Sequence, residues 1–222
     1  RGPSVREEFS IRGPVAALAI AAATLSGLAQ AATADFQYAA RAGIAYSDNL
    51  GRTENNKISS ASAVAGLQLI ALRPTGRLTF NVAGDLSYYD YFEKSFKSEV
   101  LGQMQAVSAY QILPESLSWN AQASYGQVHQ DVQLAASPNN REGLINFSTG
   151  PTLRAHFGSL LEGTLDLRYA LADYTSNGLD NDTIGGNLIL GHRPSANTLL
   201  ALGFAYDDVS YAKHAGVPTI DF

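Results

Sequence analysis

Between residues 141 and 174 apolar and polar side chains alternate with a period of two, in two successive runs. In the first, Ile145, Phe147, Leu153, Ala155 and Phe157 share one parity; Asn146, Ser148, Thr152, Arg154 and His156 share the other. In the second, Leu161, Leu165, Leu167, Tyr169 and Leu171 alternate with Glu162, Thr164, Asp166, Arg168 and Ala170. A strand sends successive side chains to opposite faces, so each run has one oily and one wet face. A helix, at about 100° per residue, would scatter these leucines around its axis. Gly158-Ser159 is short enough to join the two strands as a hairpin.

The same unit recurs along the chain. Alternation predicts strands over 36–47, 60–72, 78–89, 100–113, 117–126, 183–192 and 198–206, which with the two runs above makes nine. The connections alternate in length. Short turns fall at 74–76, 114–116, 158–159 and 193–197, and long polar loops at 48–59, 90–99, 127–140 and 175–181. The polar stretch 207–222 reads as a last loop.

Residues 1–34 read as a secretory signal. Arg6 and Arg12 flank the apolar core PVAALAIAAATLSGLAQA, and both Ala29-Gln30-Ala31 and Ala32-Thr33-Ala34 suit cleavage between small residues. No later apolar run is long enough for a spanning helix. Residues 35–222 then form the mature domain. Twelve basic and eighteen acidic residues remain in it, a net charge of −6, which argues against a nucleic-acid partner. Charged residues are 16% of the chain, below the roughly 25% of an average soluble domain. Mean hydropathy is close to zero. A barrel in lipid has this balance, because its lipid face and lumen cancel.

Strands near ten residues, short turns alternating with long loops, and a leader that delivers the N-terminus to the periplasm together predict an all-β, antiparallel, up-and-down transmembrane β-barrel of the outer membrane. Its turns would face the periplasm and its loops the exterior. Aromatics mark both strand ends. Tyr46, Tyr88, Tyr125, Tyr174 and Tyr206 lie near the loops, and Phe36, Phe80, Tyr110, Trp119 and Phe157 near the turns, where amphipathic rings meet headgroups. Nine strands is an odd number for a bacterial barrel, so the reading includes a larger barrel of which 35–222 is an incomplete part at the C-terminal side.

Three motifs point further. Tyr46-Ser47-Asp48-Asn49 ends the first strand. Ser137-Pro138-Asn139-Asn140-Arg141-Glu142 leads into Asn146-Phe147-Ser148-Thr149-Gly150-Pro151. Together they resemble a family of outer-membrane β-barrel proteins that occurs with exopolysaccharide and PEP-CTERM protein-sorting gene clusters in Gram-negative bacteria. The resemblance implies an outer-membrane location and an exopolysaccharide neighbourhood, and it supplies no catalytic residues. The loop 131–136 departs from the Pro-rich form of that family.

Chemistry is sparse. The chain has no cysteine, hence no thiolate ligand or nucleophile. A barrel hydrolase needs a serine and a histidine together, with a third group orienting the ring. Ser159 and Ser195 each lie three residues from a histidine, His156 and His192, and both pairs fall at turns. His129-Gln130-Asp131 and Asp180-Asn181-Asp182 offer at most two carboxylates each, which suits a solvated loop better than a Ca²⁺ site. No enzyme activity, cofactor or metal is expected. The wet face carries the functional candidates: Arg41, Asn81, Asp85, Gln103, Asn120, Gln122, Asn146, Arg154, Glu162, Asp166, Arg168 and Asn187. Their amides and mixed charges suit neutral polar solutes, since neither sign dominates. The expected function is a porin-like or export-associated channel for polar solutes or exopolysaccharide. The alternative is a barrel with a closed lumen that displays its loops to partners. The lipid bilayer and the barrel-assembly machinery are the remaining expected partners.

Overall fold

In a computed structural model, residues 34–93, 96–175, 180–195 and 197–211 are described. Nine strands follow in chain order: β1 (Asp35–Ser47), β2 (Ser60–Arg73), β3 (Leu78–Tyr91), β4 (Glu99–Leu113), β5 (Leu117–His129), β6 (Arg141–Phe157), β7 (Leu161–Tyr174), β8 (Asn181–Ser195) and β9 (Thr198–Tyr211). A single 3-10 turn, Pro138–Asn140, precedes β6. The strands form one antiparallel sheet in the order β1 to β9, each pairing with its neighbours in sequence. The sheet is not closed: β1 and β9 are its edges. Among the described residues no helix is long and apolar enough to cross a membrane. The signal expected at 1–34 lies, but for Ala34, outside the described residues.

All nine expected strands are present, and several are longer than alternation suggested. β3 continues to Tyr91, β5 to His129 and β9 to Tyr211, and β8 spans Asn181–Ser195. Residues 207–211, expected in a loop, are therefore strand. Their partners are Asn181 to Gly185 of β8. Backbone pairing needs no apolar side chain, so the ladder runs on past the end of the oily stripe.

The register also defines a slope. Perpendicular to the strands, Gln37 meets Ile70, then Ala83, Gln105, Ser124, Asn146, Ala172, Asn181 and finally Tyr211. Gln37 stands two residues past the start of β1, and Tyr211 thirteen past the start of β9, a strand of the same direction. The strands thus slip by eleven residues over eight steps. At about 3.3 Å per residue and about 4.8 Å between strands, this is a tilt of roughly 40°.

A soluble sheet buries one face against a second layer. Here no second layer exists among the described residues, and no large side chain is fully buried. Among the described residues the buried apolar ones are only Ala71, Phe80, Tyr91, Phe96 and Tyr125. Large side chains stand bare instead, among them Tyr38 at 80% exposure, Ile44 at 78% and Tyr206 at 72%.

Glycine answers the tightest backbone demands. Gly102 has φ +122°, and a Cβ there would run into the backbone oxygen of Asp85 on β3. Gly150 approaches the backbone oxygen of Leu167 just as closely. It precedes Pro151, which has no N–H to donate. The β6–β7 register passes from Thr149↔Tyr169 to Thr152↔Asp166 around this pair, so the proline sits at a break in the ladder.

Aromatic residues gather at the turn end as expected. Phe36 and Phe80 are 6.3 Å apart, and Tyr110 is the register partner of Trp119. Arg77 lies over the Tyr110 ring at 5.6 Å. At the loop end Tyr174 departs from the expected girdle. It pairs with Leu144 on the polar face, not with the outward tyrosines.

Candidate functional site: the polar face of the sheet

Register partners lie on the same face, so the pairings sort every strand residue to one side or the other. All twelve candidates fall together: Arg41 on β1, Asn81 and Asp85 on β3, Gln103 on β4, Asn120 and Gln122 on β5, Asn146 and Arg154 on β6, Glu162, Asp166 and Arg168 on β7, and Asn187 on β8. The opposite face holds Leu67, Leu86, Met104, Ala123, Phe147, Leu167, Leu188 and Phe204.

Two networks knit this polar face. Arg41 reaches across β2 to β3. Its Nη1 donates to Asp85 Oδ2 at 3.0 Å, and its Nη2 to Asp85 Oδ1 and, at 2.6 Å, to Ser87 Oγ. Gly66 of β2 makes the crossing possible, since a Cβ there would come within 2.5 Å of Arg41 Nε. The pair is about half exposed, so it orients side chains more than it stabilises the fold. The second network crosses β5, β6 and β7. Asn120 Nδ2 donates to Thr152 Oγ1 at 2.8 Å, and Thr152 Oγ1 donates to Asp166 Oδ1. Asp166 in turn faces Asn187. Glu162 sits 3.9 Å from Arg193, lying over Gly191 as Arg41 lies over Gly66.

Nearer the loop ends of β5 to β7 than the second network, the same face bounds a cavity of about 450 Å³. Gln105, Gln122, Ser124, Asn146, Ser148 and Asn181 line it over a floor that includes Ala170 and Ala172. Residues from five successive strands border one space, so the sheet curves around it with the polar face inward. Gln122 and Asn146 were legible as candidates. Gln105 shares the parity of Gln103 and could have been added on that signal alone. Asn181 was hidden because its segment reads as loop.

Of the remaining sequence motifs, Ser195 Oγ bonds to Thr198 Oγ1 at 3.0 Å. Asp180 accepts from the backbone N–H of Tyr174 at 2.8 Å, and Asn181 and Asp182 belong to β8. Among the described residues no three His, Asp or Glu side chains gather as metal ligands.

Comparison with protein-family models, with curated proteins and with solved structures gives no match.

Proposed function

We propose that this sheet is the wall of an outer-membrane β-barrel whose polar face bounds an aqueous path for polar solutes. One observation carries the reading: a single-layer sheet exposes a broad apolar face on one side and curves a hydrogen-bonded polar face around a cavity on the other. Water would penalise that apolar face heavily, whereas acyl chains would not. The tilt of roughly 40° falls in the range of membrane barrels. A fully antiparallel closure would set a strand running opposite to both between β9 and β1. The resemblance to barrels found with exopolysaccharide clusters supports export of such a polymer as the setting.

One feature favours the display reading as well. The loop before β6 is built around Asn140, which is buried and bonds to Asp131, Leu134 and Ala135 backbone groups at 2.8 to 3.2 Å. It holds Val132 and Leu134 out in solvent. A shaped loop with an apolar tip suits partner contact.

Cell fractionation and surface labelling test the proposal. The protein should sediment with outer membranes and migrate differently on gels before and after boiling. On intact cells Asn139→Cys should react with an impermeant maleimide and Thr75→Cys should not. Recovery in the soluble fraction, or the inverse labelling, would reject it.

A further inference from the structure

We infer that the groove over β4–β8 is a binding site for neutral saccharides. The inference rests on the reading that the polar face bounds an aqueous space, and it names what that space is built to hold. The groove lining contains no ionisable side chain, although Asp85, Asp166 and Arg168 stand elsewhere on the same face. Gln105, Gln122 and Asn146 are exposed, and their side chains make no hydrogen bond with the described residues. Each amide offers two N–H donors and an accepting oxygen, as vicinal hydroxyl groups require. Ala170 and Ala172 form a shallow apolar floor for the C–H face of a ring.

The register adds direction. Gln105, Ser124, Asn146, Ala172, Asn181 and Tyr211 stand in one continuous row across six strands. Tyr211, at 62% exposure beside Asn181, supplies an aromatic platform at the end of the row. A row of hydrogen-bonding groups, broken by the apolar Ala172 and ending on a ring, matches a linear chain of sugars. An anionic polymer would find no cation in the groove lining, so neutral units are selected over uronates.

The test uses the full chain refolded in detergent micelles, titrated with maltotetraose and with tetragalacturonate. Maltotetraose should bind and tetragalacturonate should bind at least tenfold more weakly. Asn146→Leu combined with Gln122→Leu should weaken maltotetraose about tenfold, the worth of one or two lost hydrogen bonds. Ala172→Leu should abolish binding by filling the floor. Both variants face away from lipid, and retention of the heat-modifiable form shows that they fold. Equal or tighter uronate binding, no maltotetraose binding, or variants that bind like the parent would overturn the inference. Planar-bilayer conductance separates the two claims. Conductance without saccharide binding sinks the groove and leaves the channel. Variant-sensitive binding without conductance upholds the groove and sinks the channel.

Discussion

Along β7, Leu165, Leu167 and Tyr169 stand on one side of the backbone, and Asp166, Arg168 and Ala170 on the other. Among the described residues neither side is covered by protein, yet the side chains of the two sides are engaged differently. On the polar side the side chains find one another: Arg41 holds Asp85 and Ser87 across Gly66, and Asn120, Thr152 and Asp166 form a chain over three strands. On the apolar side hydrogen bonds are few, as where Trp119 Nε1 donates to Thr149 Oγ1 at 2.8 Å, and most side chains have only dispersion to offer. The polar face is cross-linked by its own side chains. The apolar face has no cover among the described residues, and on the proposed reading acyl chains supply it.

That contrast can be broken most forcefully at two adjacent residues. Leu167→Arg places a charge on the apolar face and should cost roughly 2–4 kcal/mol of folding free energy in bilayers. It should also deplete the heat-modifiable form. Arg168→Leu, one residue away on the polar face, should stay within about 0.5 kcal/mol of the parent. Equal effects in a urea-refolding titration into vesicles would mean that the faces are not differently solvated.

The glycines sharpen the comparison, because their demand comes from the backbone and not from the face. Gly102→Ala should cost about 1–3 kcal/mol, given its positive φ and the Asp85 backbone oxygen against it. Gly43 has no neighbour within 4 Å, and Gly43→Ala should be neutral or gain up to about 1 kcal/mol. The shift in refolding midpoint measures both. A Gly102→Ala protein as stable as the parent would remove the close β3–β4 approach.

A milder loss than at Leu167 or Gly102 belongs to the lone tryptophan. Trp119→Phe removes the donor to Thr149 and should cost about 1 kcal/mol. In vesicles the parent's fluorescence should be quenched by brominated acyl chains and spared by aqueous iodide. The reverse pattern would place the apolar face in water.

The all-β class, the nine strands and their antiparallel up-and-down order were legible, and the expected closure into a barrel is not seen in the sheet. β6 and β7 alternate so regularly that their ends were legible to within one residue, and Gly158, with φ +73°, turns between them. The strand ends at Tyr91, His129 and Tyr211 were not legible, since residues there are held by their neighbours' backbones and not by an oily stripe. All twelve wet-face candidates share a face, but parity alone could not say that Asn146 lines the groove while Asp166 is engaged with Thr152. Parity sets Tyr174 on the polar face with Asp166 and Arg168, and only its aromatic ring suggested the outer girdle.

What the sequence determined by itself is the face each side chain takes, because a period of two is local and needs only the extended backbone. What the tertiary structure decided is which residues of different strands stand in line. The slip of eleven residues from β1 to β9 brings Gln105, Asn146, Asn181 and Tyr211 into one row, though no two are neighbours in the chain. That slip accumulates strand by strand from the pairing of whole backbones, through turns and bulges as at His192/Ser195, and no stretch of alternation contains it.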